Sequence, residues 1–420
     1  MKKILVYLVV FALISTFAVG CSSGGGGGAE KESKPEVVKI GVLFPFSGSM
    51  AALGEENFRG AEIARLVRNK QGGLWGKQIE FVKADAPDAT AAVAEADRLI
   101  NKEGMKVIIG SYSSSLSYAA SEVAERNGVI YWEVGGISDP ITSRGYKYLF
   151  RTVPTGSSFG IQAVKFAKAI APDIGVKPEE MKIAIVHEDS MYGTTVGENA
   201  KAEAERQGLD LVEMVAYSAK TNDLSSVILK LKAANPDVLI ATSYITDTIL
   251  FWRQARELNF YVKAAIGTGA GYAMRDFAEA VGDDVNRIFN VDFPQLDTNP
   301  EFAKGIDEFK KLYEETFGEP PKSGHSLVAY AGALILWDVM EKAGSMDPEA
   351  IRKAALEVDI PDGETAVGFG CKFAGPDAEN AGQNIKAYPL VAQWKNQKLV
   401  TVWPEEAAAG EIELPMKPWE

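Results

Sequence analysis

The chain has 420 residues, of which 46% are hydrophobic and 24% are charged, so it can bury the cores of two or three globular domains. Its formal net charge of -13 excludes binding to a nucleic-acid backbone, because that interaction needs clusters of Lys and Arg. The chain has two cysteines and two histidines, which are too few for a disulfide framework and few for a metal site.

The first segment of the chain has the layout of a secretory signal. Two lysines precede an apolar run over residues 4–19, which is shorter than the roughly 20 residues that span a bilayer. Small residues and Cys21 follow this run, although Ala18 stands where a lipoprotein signal usually has leucine. We predict a signal peptide over residues 1–20 and a lipid on Cys21. Cleavage without lipidation and retention as an anchor are the alternatives.

Residues 21–36 follow as a polar segment that contains five consecutive glycines and then a charged stretch. Such a segment cannot bury apolar surface, so we predict a flexible tether that holds an extracytoplasmic body near a membrane. If Cys21 carries a lipid, Cys371 has no partner for a disulfide in the mature chain. We expect Cys371 to be a small buried hydrophobe and not a reactive thiol.

The rest of the chain alternates between two patterns. Apolar runs predict strands at residues 37–44, 79–84, 106–110, 129–134, 182–187, 237–242, 262–267 and 287–291. Helical periodicity predicts helices at residues 57–69, 90–101, 116–127, 157–170, 195–207, 224–234 and 246–258. This alternation predicts parallel sheets with helices on both faces. One sheet of so many strands would be unusually large, so we predict an α/β fold with two doubly wound lobes.

The loop at residues 110–115 is the first candidate for ligand binding. Open parallel sheets bind ligands beyond the carboxyl ends of their strands, and this loop leaves a predicted strand and begins a helix. It is rich in serine, and the hydroxyls and free N–H groups at a helix start make an anion site. We predict that Ser113 and Ser114 bind a carboxylate. Helix capping alone is the alternative for these serines.

Two further loops follow predicted strands. Residues 134–140 contain two glycines, which let a ligand approach the backbone closely, and Ser138, which supplies a hydroxyl. Residues 243–247 place Tyr244 between a strand and a helix, where an aromatic ring can cover a pocket. A simple turn and ordinary edge packing are the alternatives for these two loops.

The order and spacing of these segments resemble the leucine/isoleucine/valine-binding family of periplasmic solute receptors for ABC importers. The likeness extends over nearly the whole body and includes residues 39–48, 107–121, 149–154, 191–193 and 251–256. The resemblance implies a type I periplasmic binding fold, in which two lobes are joined by a three-segment hinge. It also implies that the chain captures a small solute, an amino acid or a related carboxylate, and delivers it to a membrane permease.

The resemblance further implies roles for individual residues. Ser114 corresponds to the serine that binds the ligand carboxylate, and Ser138 matches a threonine that also binds ligand. The Gly136 carbonyl would accept from an ammonium group. Tyr192 and Tyr244 would approach the ligand from the second lobe.

The sequence also departs from the family pattern at the position of the acidic residue that pairs with an amino acid's ammonium. Gly269 falls near that position. A buried ammonium without an anion costs several kcal/mol, so the departure favours a ligand that lacks the α-ammonium over an amino acid. Asp247, or Glu188 and Asp189, would restore the charge if their side chains reached the cleft.

The resemblance and the strand pattern together predict the lobe boundaries. Residues 37–153 and 293–382 form the first lobe, and residues 154–292 and 383–420 form the second. We predict a hairpin at residues 390–403, which turns at Asn396 and Gln397 and returns to the second lobe.

Enzymatic functions find little support in the same residues. His187 is followed by Glu and Asp without the second histidine of a helical zinc motif, and no Gly-x-Ser-x-Gly elbow is present. The glycines at residues 267–271 lack the lysine of a phosphate-binding loop. We therefore expect no catalytic activity, no cofactor and no metal. A tethered sensor for a membrane signalling partner and a degenerate hydrolase are the alternatives.

Overall fold

The computed structural model describes residues 37–419, so the predicted signal peptide, tether and Cys21 lie outside the described residues. The first part of the body alternates strands and helices. Its elements are β1 (Val38–Phe44), α1 (Ala51–Lys70), β2 (Ile79–Asp85), α2 (Ala89–Asp97), β3 (Val107–Gly110), α3 (Ser114–Arg126), β4 (Ile130–Glu133) and β5 (Leu149–Arg151).

The second part continues this alternation and ends at the tenth strand. Its elements are α4 (Gly156–Ile170), β6 (Lys182–Glu188), α5 (Met191–Arg206), β7 (Asp210–Tyr217), α6 (Ser225–Ala234), β8 (Val238–Thr242), α7 (Ile245–Glu257), β9 (Ala264–Gly267), α8 (Arg275–Val281) and β10 (Phe289–Asp292). Three helices and a hairpin follow, namely α9 (Ile306–Phe317), α10 (Gly324–Ala343), α11 (Pro348–Leu356), β11 (Leu390–Lys395) and β12 (Lys398–Trp403).

The first sheet is parallel throughout, with strand order β2-β1-β3-β4-β5. Strands β3, β4 and β5 are buried at every residue, so both faces of this part of the sheet are covered, whereas the edge strand β2 has exposed residues. Val42, Ile109 and Trp132 belong to the core that also includes residues of α1 and α10. Ile108 and Tyr131 belong to a second core cluster with residues of α2 and α3.

The second sheet has the order β12-β11-β10-β9-β8-β6-β7. Strands β6 to β10 are parallel to one another, and β11 and β12 add an antiparallel hairpin at the β10 edge. Asn396 and Gln397 both have positive φ angles, 49° and 65°, as a two-residue hairpin turn requires. The predicted hairpin and its return to the second sheet are therefore confirmed.

The chain passes between the two sheets in three places. It leaves the first sheet after β5, returns after β10, and crosses again after Asn384, whose N–H donates to the Arg151 carbonyl at 2.8 Å. The predicted α/β class with two doubly wound lobes is confirmed. In this fold the carboxyl ends of the parallel strands of both sheets point to a common region. The loops that follow these strands therefore meet there.

The sequence pattern did not predict several elements, and β7 and α10 show two reasons. β7 is an edge strand in which exposed and half-buried residues interrupt the apolar run. Helix α10 is buried along almost its whole length, so it has no polar face to reveal a helical period.

Within residues 37–419 no helix is both long and apolar enough to span a membrane. Cys371 is fully buried as expected, and burial raises the pKa of its thiol.

Candidate functional site

A cavity lies between the loops of the two sheets. Its walls are formed by Tyr112, Ser114, Gly135, Ile137, Phe159, Tyr192, Tyr244, Gly269, Ala270, Asp292, Phe293 and His325. The lining combines aromatic and other apolar side chains with a few polar groups, as is typical of small-molecule sites.

One wall of the cavity is the N-terminal end of α3. Ser113 caps this helix with extended backbone angles, and Ser114 is its first residue. The first N–H groups of a helix have no intrahelical acceptor and carry the positive end of the helix dipole, so they favour an anion. The Ser138 N–H donates to the Ser114 hydroxyl at 3.1 Å, which orients this oxygen. The arrangement directs hydrogen-bond donors towards the cavity.

A buried carboxylate holds the two loops of this wall together. Glu133, the last residue of β4, accepts hydrogen bonds from the N–H of Ser111 at 3.1 Å and of Gly135 at 2.8 Å, and also from the N–H of Gly136. Burial raises the pKa of Glu133 to about 7, although these N–H groups and the nearby Arg151 favour its charged form. The Glu133 side chain therefore connects the backbone of the loop after β3 to the backbone of the loop after β4.

A buried arginine completes this support. Arg151 is fully buried, and its guanidinium donates to the carbonyl oxygens of Ser138 at 2.6 Å and Gly136 at 3.3 Å. It also donates to the Thr142 hydroxyl at 3.0 Å and to the Gln383 side chain. Burial lowers the pKa of Arg151 to about 10, so it remains charged at neutral pH. Arg151 thus connects the loop after β4 to the segment that leads to the third crossing between sheets.

The second lobe contributes two tyrosines. Tyr192 lies at the start of α5, and Tyr244 precedes α7. Their ring centroids are 5.2 Å apart. The Tyr192 hydroxyl donates to the Thr268 carbonyl, and the Tyr244 hydroxyl lies 3.3 Å from the Ser113 hydroxyl of the first lobe. These rings cover the cavity from the side opposite α3, and one hydroxyl pair joins the two lobes there.

Two polar residues of the lining were not predicted from the sequence. Asp292 is the last residue of β10 and accepts from the Phe293 N–H at 2.7 Å and from the Asn290 amide at 2.9 Å. His325, in the first turn of α10, places its Nε2 3.3 Å from the second oxygen of Asp292. Both side chains are 1% exposed. The only local signal was that Asp292 directly follows the predicted strand at residues 287–291.

Gly269 shows why an acid is absent from the loop after β9. Its φ of +87° and ψ of -161° form a backbone conformation that essentially only glycine adopts. A Cβ at this position would lie 3.2 Å from the Tyr192 hydroxyl and 3.2 Å from the Phe159 ring. The backbone and its packing therefore exclude a glutamate at residue 269.

Three of the seven predicted ligand-binding residues line the cavity, namely Ser114, Tyr192 and Tyr244, and Ser113 contacts Tyr244 beside it. Gly136 and Ser138 do not line it. The Gly136 carbonyl accepts from Arg151, and Gly135 occupies the wall instead. The Ser138 hydroxyl donates to the Met191 carbonyl at 2.7 Å, which makes it a contact between lobes.

Asp247 does not line the cavity either. Its carboxylate accepts from the Tyr217 hydroxyl at 2.7 Å within the second lobe, and its side chain is 2% exposed. Burial raises the pKa of Asp247 to about 7. Glu188 is similarly engaged, because it accepts from the N–H groups of Ser190 and Gly193 at the start of α5. Neither acid lines the cavity in this conformation.

The relatives of the chain agree with a binding role. The family described as "Periplasmic binding protein" matches residues 37–397. The Leu/Ile/Val-binding protein homolog 7 of Brucella suis is 42% identical over 380 residues, which cover 90% of this chain and 94% of the relative. The Leu/Ile/Val-binding protein homolog 8 of Brucella abortus is 41% identical over 377 residues, which cover 89% and 92%.

Solved structures share the fold. A leucine binding protein of Thermotoga maritima has a TM-score of 0.75 at 24% identity, over 87% of this chain and 98% of that chain. A solute binding protein of R. palustris, in complex with 4-hydroxybenzoate, has a TM-score of 0.75 at 19% identity, over 92% and 98%. With the family match over residues 37–397 and relatives above 40% identity, the chain belongs to the periplasmic binding protein family, whose members bind solutes and are not enzymes.

Proposed function

We propose that this protein is an exported, lipid-anchored receptor of an ABC importer, which captures an amino acid or a related small carboxylate between its lobes. The names of the Brucella relatives indicate branched-chain amino acids, and the structural neighbours include a leucine binding protein and a protein that holds 4-hydroxybenzoate. A carboxylate is the chemical group that these ligands share.

One observation carries the proposal. The donor-rich start of α3, with Ser114 at its first position, lines the same cavity as Tyr192 and Tyr244 of the second lobe. A carboxylate bound at α3 would therefore be covered by aromatic rings when the lobes close. We propose that closure occurs by a hinge motion at the three segments that cross between the sheets, and that the closed form is the one that the permease recognises.

A ligand screen tests the binding function. Purified protein would be heated with single amino acids, small aliphatic carboxylates and aromatic acids, and each hit titrated by calorimetry. A ligand at a hundred times its dissociation constant adds about 2.7 kcal/mol of stability, which gives a clear rise in melting temperature. Failure of all three classes to bind would contradict the proposal.

An uptake assay separates an importer component from a sensor. Cells that lack the gene should lose uptake of the radiolabelled ligand, and the wild-type gene should restore it. Normal uptake in the deletion strain, together with a lost transcriptional or motility response to the ligand, would instead favour the sensor.

The lipid anchor has its own test. Cys21→Ala should release the body from the membrane fraction or leave the precursor uncleaved, because the thiol is the site of acylation. Cys371→Ala is the matched control and should stay with the membrane, since Cys371 is buried within the body. A cleaved Cys21→Ala protein that remains in the membrane fraction would contradict the anchor.

A further inference from the structure

A buried negative charge lies behind the cavity wall at the start of α3. Glu133 is fully buried, and its carboxylate accepts three backbone hydrogen bonds. One comes from Ser111 in the loop after β3, and two come from Gly135 and Gly136 in the loop after β4. Ser114, where the first loop enters α3, and Gly135 both line the cavity. A carboxylate bound at α3 would therefore face the same backbone that Glu133 contacts from behind.

The charged and titratable side chains around Glu133 differ in how they respond to pH. Arg151 of β5 favours the ionised Glu133, and its own pKa of about 10 keeps it charged at neutral pH. Asp139 also interacts with Arg151. Tyr131 lies on the same face of β4 as Glu133, since side chains two residues apart in a strand point the same way. Burial raises the pKa of Tyr131 well above its usual value, although Arg144 opposes this, so Tyr131 stays neutral.

Glu133 is thus the group of this wall that changes charge near neutrality, because burial raises its pKa to about 7. An ionised Glu133 would repel a ligand carboxylate on the other side of the loops, and buried charges are screened little by salt. A proton on Glu133 removes this repulsion. It also leaves the positive charge of Arg151, whose guanidinium donates to the Gly136 and Ser138 carbonyl groups of the same loop.

We infer that Glu133 takes up a proton when a carboxylate ligand binds at the start of α3, so that the receptor holds its ligand more tightly in acidic than in alkaline surroundings. The inference rests on the proposed function and adds a regulation to its site. Members of this family work outside the cytoplasm, so the external pH would set how much ligand the receptor retains.

The direction of the pH effect follows from the charges. A bound carboxylate disfavours the ionised Glu133, so it raises the pKa of this residue above its value in the free protein. The complex therefore holds more protons than the free protein in the range between the two values. Affinity should be highest below pH 7, fall as the pH rises above 7, and level off once Glu133 is ionised in both states.

Calorimetry on the purified full-length chain tests the inference. Leucine, 4-methylpentanoate and 4-hydroxybenzoate would each be titrated at pH 7.5 in phosphate and in Tris, whose heats of ionisation differ. The change in observed enthalpy between the two buffers gives the number of protons taken up on binding. We expect each ligand that binds to bring about half a proton into the complex, because Glu133 is mostly ionised in the free protein at this pH.

The pH dependence of affinity is a second measurement. Between pH 6 and pH 8.5 the affinity for each of these carboxylates should fall about five- to ten-fold, as expected for two like charges separated by a few ångströms of protein. The ligand carboxylate and the ammonium group of leucine keep their charges over this range, so the change would come from the protein.

Two matched variants assign the proton. Glu133→Gln cannot titrate, so proton uptake should disappear and affinity should vary by less than about two-fold over the same pH range. Asp247→Asn is the control, because burial raises the pKa of Asp247 to about 7 as well. Its carboxylate accepts from Tyr217 and does not line the cavity, so proton uptake should survive in this variant.

Ser117→Ala keeps the test decisive if Glu133→Gln fails to fold. Burial raises the pKa of Glu133, and the Ser117 hydroxyl is among the groups that oppose this rise. Removal of the hydroxyl should therefore raise the pKa further and shift the fall in affinity to higher pH. A profile that stays in place or moves to lower pH would contradict the role of Glu133.

The remaining outcomes separate the inference from the receptor function. Binding to the wild-type protein without proton uptake would overturn the inference and leave the receptor function intact. Uptake that persists in Glu133→Gln would also overturn it and would point to Asp292 and His325, which line the cavity. Failure of every carboxylate of the screen to bind would overturn both the inference and the receptor function.

Discussion

The two walls of the cavity are built in different ways. The wall of the first lobe is backbone, held from behind by the buried side chains of Glu133 and Arg151, which hydrogen-bond to both cavity-lining loops. The wall of the second lobe is formed by the rings of Tyr192 and Tyr244, and the hydroxyl of Tyr244 reaches across to Ser113. The donors of the first wall are therefore oriented by buried side chains, whereas the second wall would gain its contacts in the proposed hinge motion.

The two walls are therefore stabilised by interactions of different strength. The loops of the first wall are held by the buried side chains of Glu133 and Arg151. Removal of either side chain would leave several buried hydrogen-bonding groups without a partner. Support of the second wall includes a hydroxyl pair at 3.3 Å, which is near the upper limit of hydrogen-bond length. We therefore expect changes behind the first wall to affect folding, and changes in the second wall to affect the lifetime of the closed complex.

The largest effect is expected from Arg151→Met. This change leaves two carbonyl oxygens and the Gln383 side chain without their donor and removes the cation nearest to Glu133. It should lower the free energy of unfolding by about 3–5 kcal/mol, measured by urea denaturation. Arg126→Met is the control, because the Arg126 side chain is 64% exposed, and it should change the stability by less than about 0.5 kcal/mol. Equal midpoints for the two variants would contradict the role of Arg151.

The pH dependence of stability probes the same support. Burial raises the pKa of Glu133 from 4.5 to about 7, so between these values the folded state holds a proton that the unfolded state releases. The free energy of unfolding should therefore fall as pH rises from about 5 to 7, by about 1–3 kcal/mol, and level off above that range.

Glu133→Gln sharpens this test. The variant should be less stable overall, because an amide cannot accept from all three N–H groups, and its stability should vary less between pH 5 and pH 8. Some dependence should remain, since burial also raises the pKa of Asp247 to about 7. A stability that rises with pH in the wild-type protein would contradict the protonation of Glu133.

Ser114→Ala tests the contribution of a cavity-lining hydroxyl of the first wall to ligand affinity. It removes a hydroxyl that lines the cavity but leaves the N–H groups of α3 in place. The affinity for the tightest ligand of the screen should fall by roughly 1–3 kcal/mol, which is typical of a hydrogen bond to a charged group. Ser226→Ala, at an exposed position of α6, provides the control for calorimetry. An unchanged affinity in Ser114→Ala would place the carboxylate elsewhere.

Tyr244→Phe should have the smallest effect. It keeps the ring over the cavity and removes the contact with Ser113, so affinity should fall by about 0.5–1.5 kcal/mol. The loss should appear mainly as faster dissociation, measured by stopped-flow fluorescence. Tyr261→Phe loses a hydroxyl bond of 2.7 Å to the Met416 carbonyl and should leave dissociation unchanged. A slower association rate with normal dissociation would argue against a closing contact.

The predicted ligand-binding residues that line the cavity are Ser114, Tyr192 and Tyr244. Ser114 stands at a helix start within a run of serines, and Tyr244 lies between a strand and a helix, so both carry a local signal. Tyr192 was expected only because of the resemblance to the family. Asp292 and His325 carry no such signal, because a single acid at a strand end and a single histidine in a helix occur in many proteins. They are 33 residues apart and meet only after the chain has crossed between the lobes.

The alternation of strands and helices, the hairpin at its turn residues and the serine-rich helix start were determined by the sequence itself, because they depend on side chains a few residues apart. The tertiary structure decided which polar atoms remain available to a ligand. The Gly136 carbonyl accepts from Arg151 and the Asp247 carboxylate from Tyr217. Within residues 37–419, the Asn57 Oδ1 and the His325 Nδ1 have no hydrogen-bond partner. Hydrogen-bond capacity is shared among distant segments, so which group is left over depends on partners that only the folded chain brings together.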